Sequence, residues 1–366
     1  MRIRGNTQIR HCAAALGTGV ALFGCAHATQ TGKTPTASIS AAGSFFGTIN
    51  TAGSRSVSVV ESRTLSFALD RIDQRRLPLD RTYRHGGTGK GVTVYVFDGG
   101  IAGDHPELNG RVRRGYSAFP ADPTICNAHG TAVAGAVAGA TLGVAPDAEV
   151  VDVKMVECGR LRGTIQGIID GAKWVIDDAK KHPGRRFIAN WSFIADTSAV
   201  IPALDSAVAS LLRANIPVVV SAGNLETNAC RVSPANSPGT IVVGSSSLYT
   251  DPTTSGPADR RAPGTAYGPC IDIYAPGDSV LLPSLDQDHK STTQLWNGTS
   301  MSAGYVSGAI ALFLEANPTA TPDQSLAHLK ATATPNVIRA ARAQSNYMLY
   351  VGMTREPEPM TRVSSR

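Results

Sequence analysis

The stretch GVTVYVFDGG, residues 91–100, carries an unbroken run of mostly β-branched and aromatic residues that ends at Asp98 and two glycines. An apolar run without polar alternation predicts a strand that is buried on both faces, because no side of it suits water. Strands of this kind belong to parallel sheets that are covered by helices. Asp98 would then lie at the carboxyl end of a strand, where α/β sheets place functional groups.

Similar short runs recur along the chain and alternate with segments whose apolar residues are spaced three and four apart. The predicted strands are residues 91–97, 148–156, 186–193, 216–223 and 240–246, and the predicted helices are residues 164–181, 199–215 and 302–317. A further helix is expected to begin with Thr321 as its N-cap and Pro322 at its first position. This alternation predicts the α/β class, with a mostly parallel sheet that is covered on both faces.

The composition, with 42% hydrophobic and 17% charged residues, is that of a globular protein and not of a disordered or fibrous one. The net charge is +6, but Lys and Arg are scattered, and the basic stripe with interleaved aromatic residues that would indicate a nucleic-acid partner is missing from the sequence. No segment of the sequence is long and apolar enough to predict a transmembrane helix. We expect a monomer that neither binds nucleic acid nor spans a membrane.

The N-terminus has the pattern of an export signal, in which positive charges precede a short apolar run at residues 12–24. Ala26-His27-Ala28 is a cleavage site for ordinary secretion, which predicts a signal peptide over residues 1–28 and a secreted or periplasmic protein. Leu22-Phe23-Gly24-Cys25 resembles a bacterial lipoprotein box instead. That box would place a lipid anchor at Cys25 and the protein at the membrane surface, and the residues leave both alternatives open.

The remainder of the chain divides by composition. Residues 29–65 are rich in Ser, Thr, Gly and Ala and show little periodicity, which predicts a linker or a vestigial pro-segment. The globular pattern covers residues 66–351, and the polar residues 352–366 predict a flexible tail.

The cysteines are consistent with export. Two of the six lie in the predicted signal, and the other four are Cys126, Cys158, Cys230 and Cys270. An even number in an exported chain predicts two disulfides, and counting alone allows three pairings. Because none of the four forms a close C-x-x-C pair, a zinc site is disfavoured.

Four polar residues carry the candidate chemistry, and each has a structural explanation when it is taken alone. Asp98 could cap the turn before the glycines, and His129, in HGTAVAG, could be a packing residue at the start of a helix. Ser300, in NGTSMSAG, could be a helix N-cap, and Asn224, in SAGN, could be a turn residue.

Together, the same four residues predict nucleophilic catalysis. The chain order Asp98, His129, Ser300 is one of the orders known for catalytic triads. In this chemistry the serine attacks a carbonyl carbon, the histidine takes its proton, and the aspartate holds the imidazole. Backbone N–H groups at a helix N-terminus lack helical partners, and with the amide of Asn224 they would stabilise an oxyanion beside Ser300.

The motifs VTVYVFDGGI, HGTAVAG, SAGN and NGTSMSAGYVSG resemble those of the subtilisin-like serine proteases, in the proteinase K branch. Residues 66–83 resemble the mature N-terminus of that branch, and the resemblance covers residues 66–351. It implies a three-layer α/β/α sandwich. It also implies a secreted endopeptidase of protein or peptide substrates, which forms an acyl-enzyme and needs no catalytic cofactor.

The resemblance implies structural links as well. The implied disulfides are Cys126–Cys158 and Cys230–Cys270. A calcium ion would be bound by the carbonyl oxygens of Pro238 and Thr240 and by the side chain of Asp272, since oxygen ligands suit Ca²⁺. The alternative is that Asp272 only caps the loop beside it.

The two segments that flank the substrate in relatives depart from the family pattern here. They are residues 159–163, with Arg160 and Leu161, and residues 192–195, with Ser192 and Phe193. Bulky residues in place of small ones predict a narrower primary pocket, and the arginines predict some tolerance of acidic side chains. The arginines could instead point to solvent, so that only residues 192–195 would affect substrate specificity. The departures also leave open a second function, that of a catalytically weak surface protein that binds peptides.

Overall fold

The computed structural model describes residues 57–195 and 200–353 and the two-residue strands at residues 20–21 and 48–49. The rest of the predicted export signal, with both of its processing sites and Cys25, lies outside the described residues. So does the predicted tail from residue 354 onward. Among the described helices, none combines the length and the apolarity that crossing a membrane requires.

The helices and strands follow one another with short connections. The strands of the first half are β1 (Val20–Ala21), β2 (Thr48–Ile49), β3 (Val57–Arg63), β4 (Thr82–Gly86), β5 (Val92–Asp98), β6 (Val112–Ser117), β7 (Glu149–Lys154), β8 (Val156–Glu157), β9 (Arg162–Gly163) and β10 (Arg186–Trp191). Those of the second half are β11 (Ile194–Ala195), β12 (Val218–Ser221), β13 (Ile241–Thr250), β14 (Pro257–Arg261), β15 (Ile273–Pro276), β16 (Val280–Leu285), β17 (Ser291–Trp296), β18 (Thr334–Pro335), β19 (Ile338–Arg339) and β20 (Tyr347–Met348). The helices are α1 (Phe67–Ile72), α2 (His129–Ala138), α3 (Ile165–Lys180), α4 (Pro202–Arg213), α5 (Thr299–Ala316) and α6 (Pro322–Thr332).

The central sheet has the strand order β6-β7-β5-β10-β12-β13-β15-β20-β18. All neighbours from β6 to β20 are parallel, and only the edge strand β18 and the side strand β14 pair antiparallel. Every residue of β5 is buried, as its apolar run predicts. β5 is the third strand from the β6 edge, between β7 and β10, and Asp98 is its last residue.

Alternate residues of the strands face two separate cores. Val94 and Val96 belong to the core on the face covered by α2 and α5. Tyr95 and Phe97 belong to the core on the opposite face, with residues of α3 and α4. The predicted three-layer α/β/α sandwich is confirmed.

Two strands, β2 and β3, lie inside the segment that the sequence assigned to a linker or pro-segment. β3 pairs antiparallel with β4, with Val59 opposite Gly86 and Arg63 opposite Thr82. The run VSVVE has the β-branched character of a strand, but the Ser- and Thr-rich residues before it hide that pattern. The folded part thus includes a strand before residue 66.

Helices α2 and α5 pack closely, and glycine makes this possible. A Cβ atom on Gly304 of α5 would lie 2.9 Å from the Cβ atom of Ala136 and 3.0 Å from the carbonyl oxygen of Val133, both on α2. Because α2 begins at His129 and α5 contains Ser300 in its first turn, this contact sets the relative positions of the two residues.

We expect Gly304→Ala to lower the free energy of unfolding by up to about 2 kcal/mol. Overpacking of the helix contact by the added methyl group costs about 1–3 kcal/mol, and the preference of a helix interior for alanine offsets about 1 kcal/mol of that cost. Urea unfolding in a Ser300→Ala background would measure it without self-digestion. Gly184→Ala is the control, since a Cβ atom there meets nothing within 4 Å. Equal stability of Gly304→Ala and its parent would contradict the argument.

Candidate active site

Asp98 and His129 form a buried hydrogen bond. The Nδ1 atom of His129 lies 2.7 Å from Oδ2 of Asp98, and the two side chains are 2% and 0% exposed. Because a carboxylate accepts hydrogen bonds, this contact places the proton of the neutral imidazole on Nδ1 and leaves Nε2 as an acceptor. Nε2 is buried and has no hydrogen-bond partner among the described residues.

The residue after His129 must be small for this contact to form. A Cβ atom on Gly130 would lie 2.6 Å from the carbonyl oxygen of Gly100 and 3.0 Å from the Cβ atom of Asp98. A side chain would therefore push the start of α2 away from the end of β5.

Ser300 lies in the first turn of α5 and is 4% exposed. Its hydroxyl donates to the carbonyl oxygen of Ser192 at 3.2 Å, and the hydroxyl of Ser192 donates to the carbonyl oxygen of Ser300 at 3.1 Å. This reciprocal pair ties the candidate nucleophile to one of the predicted substrate segments. The helix start also gives Ser300 a backbone N–H without a partner in the helix ladder.

The amide of Asn224 is oriented by the residue before Ser300. Its Oδ1 atom accepts hydrogen bonds from the backbone N–H of Thr299 at 2.9 Å and from the hydroxyl of Thr299 at 3.0 Å. The NH₂ group lies on the other side of the amide. One pocket is lined by Ser192, Phe193, Ile194, Ser221, Gly223, Asn224 and Ser300. The structure thus brings Asn224 and Ser300 to one pocket.

The two predicted substrate segments form a cleft that accepts a strand. β1 lies between β9 and β11 and is antiparallel to both, with Val20 opposite Gly163 and Ala195. β9 also pairs with β8, which makes the outer edge of this small sheet. The spacing between the segments therefore suits one extended peptide.

Comparison with known proteins identifies the family of this chain. A family model described as "Subtilase family" matches residues 89–352. The chain belongs to the subtilase family. The resemblance drawn from the sequence motifs is confirmed.

Several subtilases resemble the chain closely. It is 40% identical over 288 residues to the extracellular serine proteinase of Thermus sp. (strain Rt41A), covering 78% of this chain and 66% of that protein. It is 36% identical to alkaline serine exoprotease A of Vibrio alginolyticus, covering 78% of this chain and 50% of that protein. The chain thus spans between half and two-thirds of these relatives. The crystal structure of a cold-adapted subtilisin-like serine proteinase matches with a TM-score of 0.69 at 36% identity, over 80% of this chain and all of that one.

The side chains of the cleft segments differ in their exposure, and Arg160 matches the alternative in which the arginine points to solvent. Phe193 is 2% exposed, and its ring stacks on Trp191 at 5.5 Å in the core. The Arg160 side chain is 80% exposed and lies 3.7 Å from Glu157, so it points to solvent beside a negative charge. Leu161 is 40% exposed, at a left-handed turn position. Phe193 and Ile194 both line the pocket, but of the two only Phe193 belongs to the core cluster that contains Trp191.

The subtilase has the two disulfides that the resemblance implies. They are Cys126–Cys158 and Cys230–Cys270. The first closes a loop of 32 residues and joins the segment before His129 to the turn that leads into β9. In the chain-entropy model, such a bridge is worth about 3–4 kcal/mol.

The residues expected to bind calcium do not fit that ion. Oδ2 of Asp272 accepts a hydrogen bond from the backbone N–H of Val242 at 3.0 Å, and Oδ1 lies 2.7 Å from the ammonium of Lys330. Both carboxylate oxygens are thus engaged, and a positive charge already faces the carboxylate. For a divalent cation, the site would have to release this ammonium.

A second group of possible metal ligands does not fit a metal ion either. Asp122, Cys126 and Cys158 lie within reach of one common ion, the single such group among the described residues. The two cysteines are joined in a disulfide and offer no thiolate. The ammonium of Lys154, 3.2 Å from Asp122, already neutralises the carboxylate.

Asp152 lies close to the site, and the sequence analysis missed it. Its Oδ2 atom accepts a hydrogen bond from the N–H of Ile101 at 3.3 Å, and its Oδ1 atom is buried without a partner in the described part of the chain. Burial raises the pKa of Asp152 to about 7, and the charge of Asp98 also raises it, while the N–H of Ile101 and the charges of Arg114 and Lys154 lower it. The signal was a carboxylate between the valines of VVDV, residues 150–153, in a predicted buried strand.

We expect Asp152→Asn to stabilise the protein above pH 7. Since the pKa of Asp152 is about 7 in the folded state and the ordinary pKa of an aspartate is 3.8, the folded state binds this proton more tightly. The free energy of unfolding then falls as the pH rises from about 4 to about 7, by an amount on the order of 2–4 kcal/mol. Asparagine removes this loss because it stays neutral.

Thermal melts at pH 5 and pH 8 in the Ser300→Ala background would measure the difference. The melting temperature of Asp152→Asn should exceed that of its parent at pH 8, and the gap should shrink at pH 5. Asp147→Asn, at an exposed carboxylate, is the control and should show no such gap. A variant that is less stable than its parent at pH 8 would mean that Asp152 is charged and paired.

Proposed function

We propose that the chain is a serine endopeptidase, with Asp98, His129 and Ser300 as its catalytic triad. The observation that carries the proposal is the buried 2.7 Å contact between Nδ1 of His129 and the carboxylate of Asp98. It fixes the tautomer in which Nε2 can accept a proton. The close packing of α2 against α5 supports the placement of Ser300 on the Nε2 side of this imidazole.

The first half-reaction forms an acyl-enzyme. The Oγ atom of Ser300 bonds to the scissile carbonyl carbon as its proton passes to Nε2 of His129. The C–N bond then breaks, and His129 gives the proton to the leaving amine. Water repeats the sequence to release the acid and restore the serine. Asp98 stabilises the imidazolium that forms in both halves.

The hydroxyl of Ser300 needs one rotation for this step. It donates to the carbonyl oxygen of Ser192 in the structure, so it must turn away from that oxygen to donate to Nε2 of His129. A peptide strand in the cleft brings its own N–H groups as alternative donors to that wall. Substrate binding would therefore favour the turned hydroxyl.

The oxyanion would be stabilised by two kinds of donor. The N–H of Ser300 lies at the start of α5, where the helix dipole is positive. The NH₂ group of Asn224 is the second donor, because both hydrogen bonds from Thr299 engage the amide oxygen. Losing one such side-chain donor raises the barrier by about 3 kcal/mol in related chemistry.

The substrates we propose are proteins and peptides that bind as an added strand between β9 and β11. The placement of β1 there supports this mode of capture, since backbone pairing accepts many sequences. The relative from Thermus is called extracellular, which supports export of this chain as well. We infer secretion or a periplasmic location from it and from the signal pattern.

We expect Ser300→Ala to lower kcat by at least about a thousandfold with little change in melting temperature, because the nucleophile is lost and the fold is not. An internally quenched peptide with both ends blocked would measure it, since only an endopeptidase can cut that substrate. Ser206→Ala, at an exposed serine of α4, is the matched control and should keep full activity.

Labelling with a fluorophosphonate probe gives a second readout of the same change. The parent should be labelled at Ser300, and Ser300→Ala should not be labelled. An unlabelled, inactive parent would favour the peptide-binding alternative, and a Ser300→Ala variant that still cuts the blocked peptide would refute the triad.

We expect Ile194→Ala to widen the primary pocket. Ile194 lines it beside Ser300, and its Cγ2 atom lies 3.3 Å from where a Cβ atom of Gly223 would be. Removing most of that side chain should raise kcat/KM for substrates with a large aromatic residue before the cleaved bond by about 10- to 100-fold relative to alanine there. Arg160→Ala should leave this ratio unchanged because its side chain is in solvent. An unchanged ratio in Ile194→Ala would show that another residue limits the pocket.

A further inference from the structure

Asp272 has an ionic partner where the family resemblance leads one to expect calcium. It immediately precedes β15, and its Oδ1 atom lies 2.7 Å from the Nζ atom of Lys330 in the last turn of α6. Its other oxygen accepts the backbone N–H of Val242, in the strand that follows the expected ligands Pro238 and Thr240. The side chains of Lys330 and Asp272 are 35% and 18% exposed, so the pair is partly shielded from water.

Helix α6 places the side chain of Lys330 next to Asp272. α6 begins with a capping box in which Thr321 and Gln324 satisfy each other's backbone N–H groups. Leu329, next to Lys330, is 2% exposed and anchors the end of the helix in the core. The ammonium also lies at the carboxyl end of the helix dipole, where a positive charge is favoured. The backbone at Lys330 is therefore already placed beside Asp272, and only the lysine side chain has to be ordered when the ion pair forms.

The charge of the site argues against a metal ion. One carboxylate and neutral carbonyl oxygens supply a single negative charge, and the ammonium cancels it. Ca²⁺ requires six to eight oxygen ligands and favours sites with uncompensated carboxylates. An ammonium that already contacts a ligand oxygen both takes a coordination position and repels the divalent ion.

We propose that Lys330 is a built-in replacement for calcium at Asp272. Through Asp272, the ammonium links the end of α6 to the start of β15 and to Val242 of β13, as a bound cation would. The stability of this region is then independent of the calcium concentration. Removing the ammonium should leave a carboxylate and carbonyl oxygens that can bind calcium again.

The test uses melting temperatures of the full chain in the Ser300→Ala background, in EDTA and in millimolar CaCl₂. The variants are Lys330→Met, Asp272→Asn and the double variant. We expect Lys330→Met to melt several degrees below its parent in EDTA and to recover most of that loss in CaCl₂. The melting temperature of the double variant should lie below that of its parent in both solutions. Lys180→Met removes a lysine from an exposed pair with Asp177 and should change little in either solution.

Calorimetric titration with CaCl₂ gives a direct readout. Lys330→Met should bind one more calcium ion than its parent, and the double variant should lose that ion. The proposal is overturned if the parent shows a calcium-dependent melting shift that Asp272→Asn abolishes. It is also overturned if Lys330→Met gains no calcium response. Because catalysis plays no part in these measurements, failure here would leave the proposed peptidase function untouched.

Discussion

The contact between α2 and α5 is the constraint on which the rest of the site depends. Gly304 lets the backbone of α5 come within van der Waals distance of α2, and Gly130 lets the start of α2 reach Asp98. The imidazole, the carboxylate and the serine are therefore positioned by backbone contacts, which close-packed interiors hold rigidly. A site built in this way is organised before any substrate arrives, and this limits the reorganisation needed during reaction.

Electrostatic arrangement follows from the same packing. The sheet places the carboxylates of Asp98 and Asp152 on neighbouring strands, β5 and β7. Asp98 has a hydrogen-bond partner in His129, whereas one oxygen of Asp152 is buried without a partner in the described chain and its pKa rises to about 7. The fold thus gives Asp98 the imidazole as its partner and leaves Asp152 one strand away, where burial raises its pKa.

Local patterns predicted much of this structure, and long-range contacts were beyond them. The strand that ends at Asp98 and the helix capped by Thr321 were predicted because their signals lie within a few residues. The ion pair between Asp272 and Lys330 joins residues that are 58 apart, and neither residue shows its partner in its own neighbourhood. The ring of Phe193 stacks on Trp191, two residues before it, which is a local contact that the comparison with the family pattern did not consider.

The disulfide between Cys126 and Cys158 makes the stability of the cleft depend on the redox state of its compartment. It links the loop ahead of the imidazole to the hairpin that forms one side of the cleft. Disulfides form in oxidising compartments, and the cysteines remain reduced thiols where glutathione and thioredoxin are active. In the reducing cytosol, that hairpin would be joined to the rest of the site only through its own backbone and through noncovalent contacts. The disulfide that braces the cleft therefore forms only in an oxidising compartment, away from the cell's own newly made proteins.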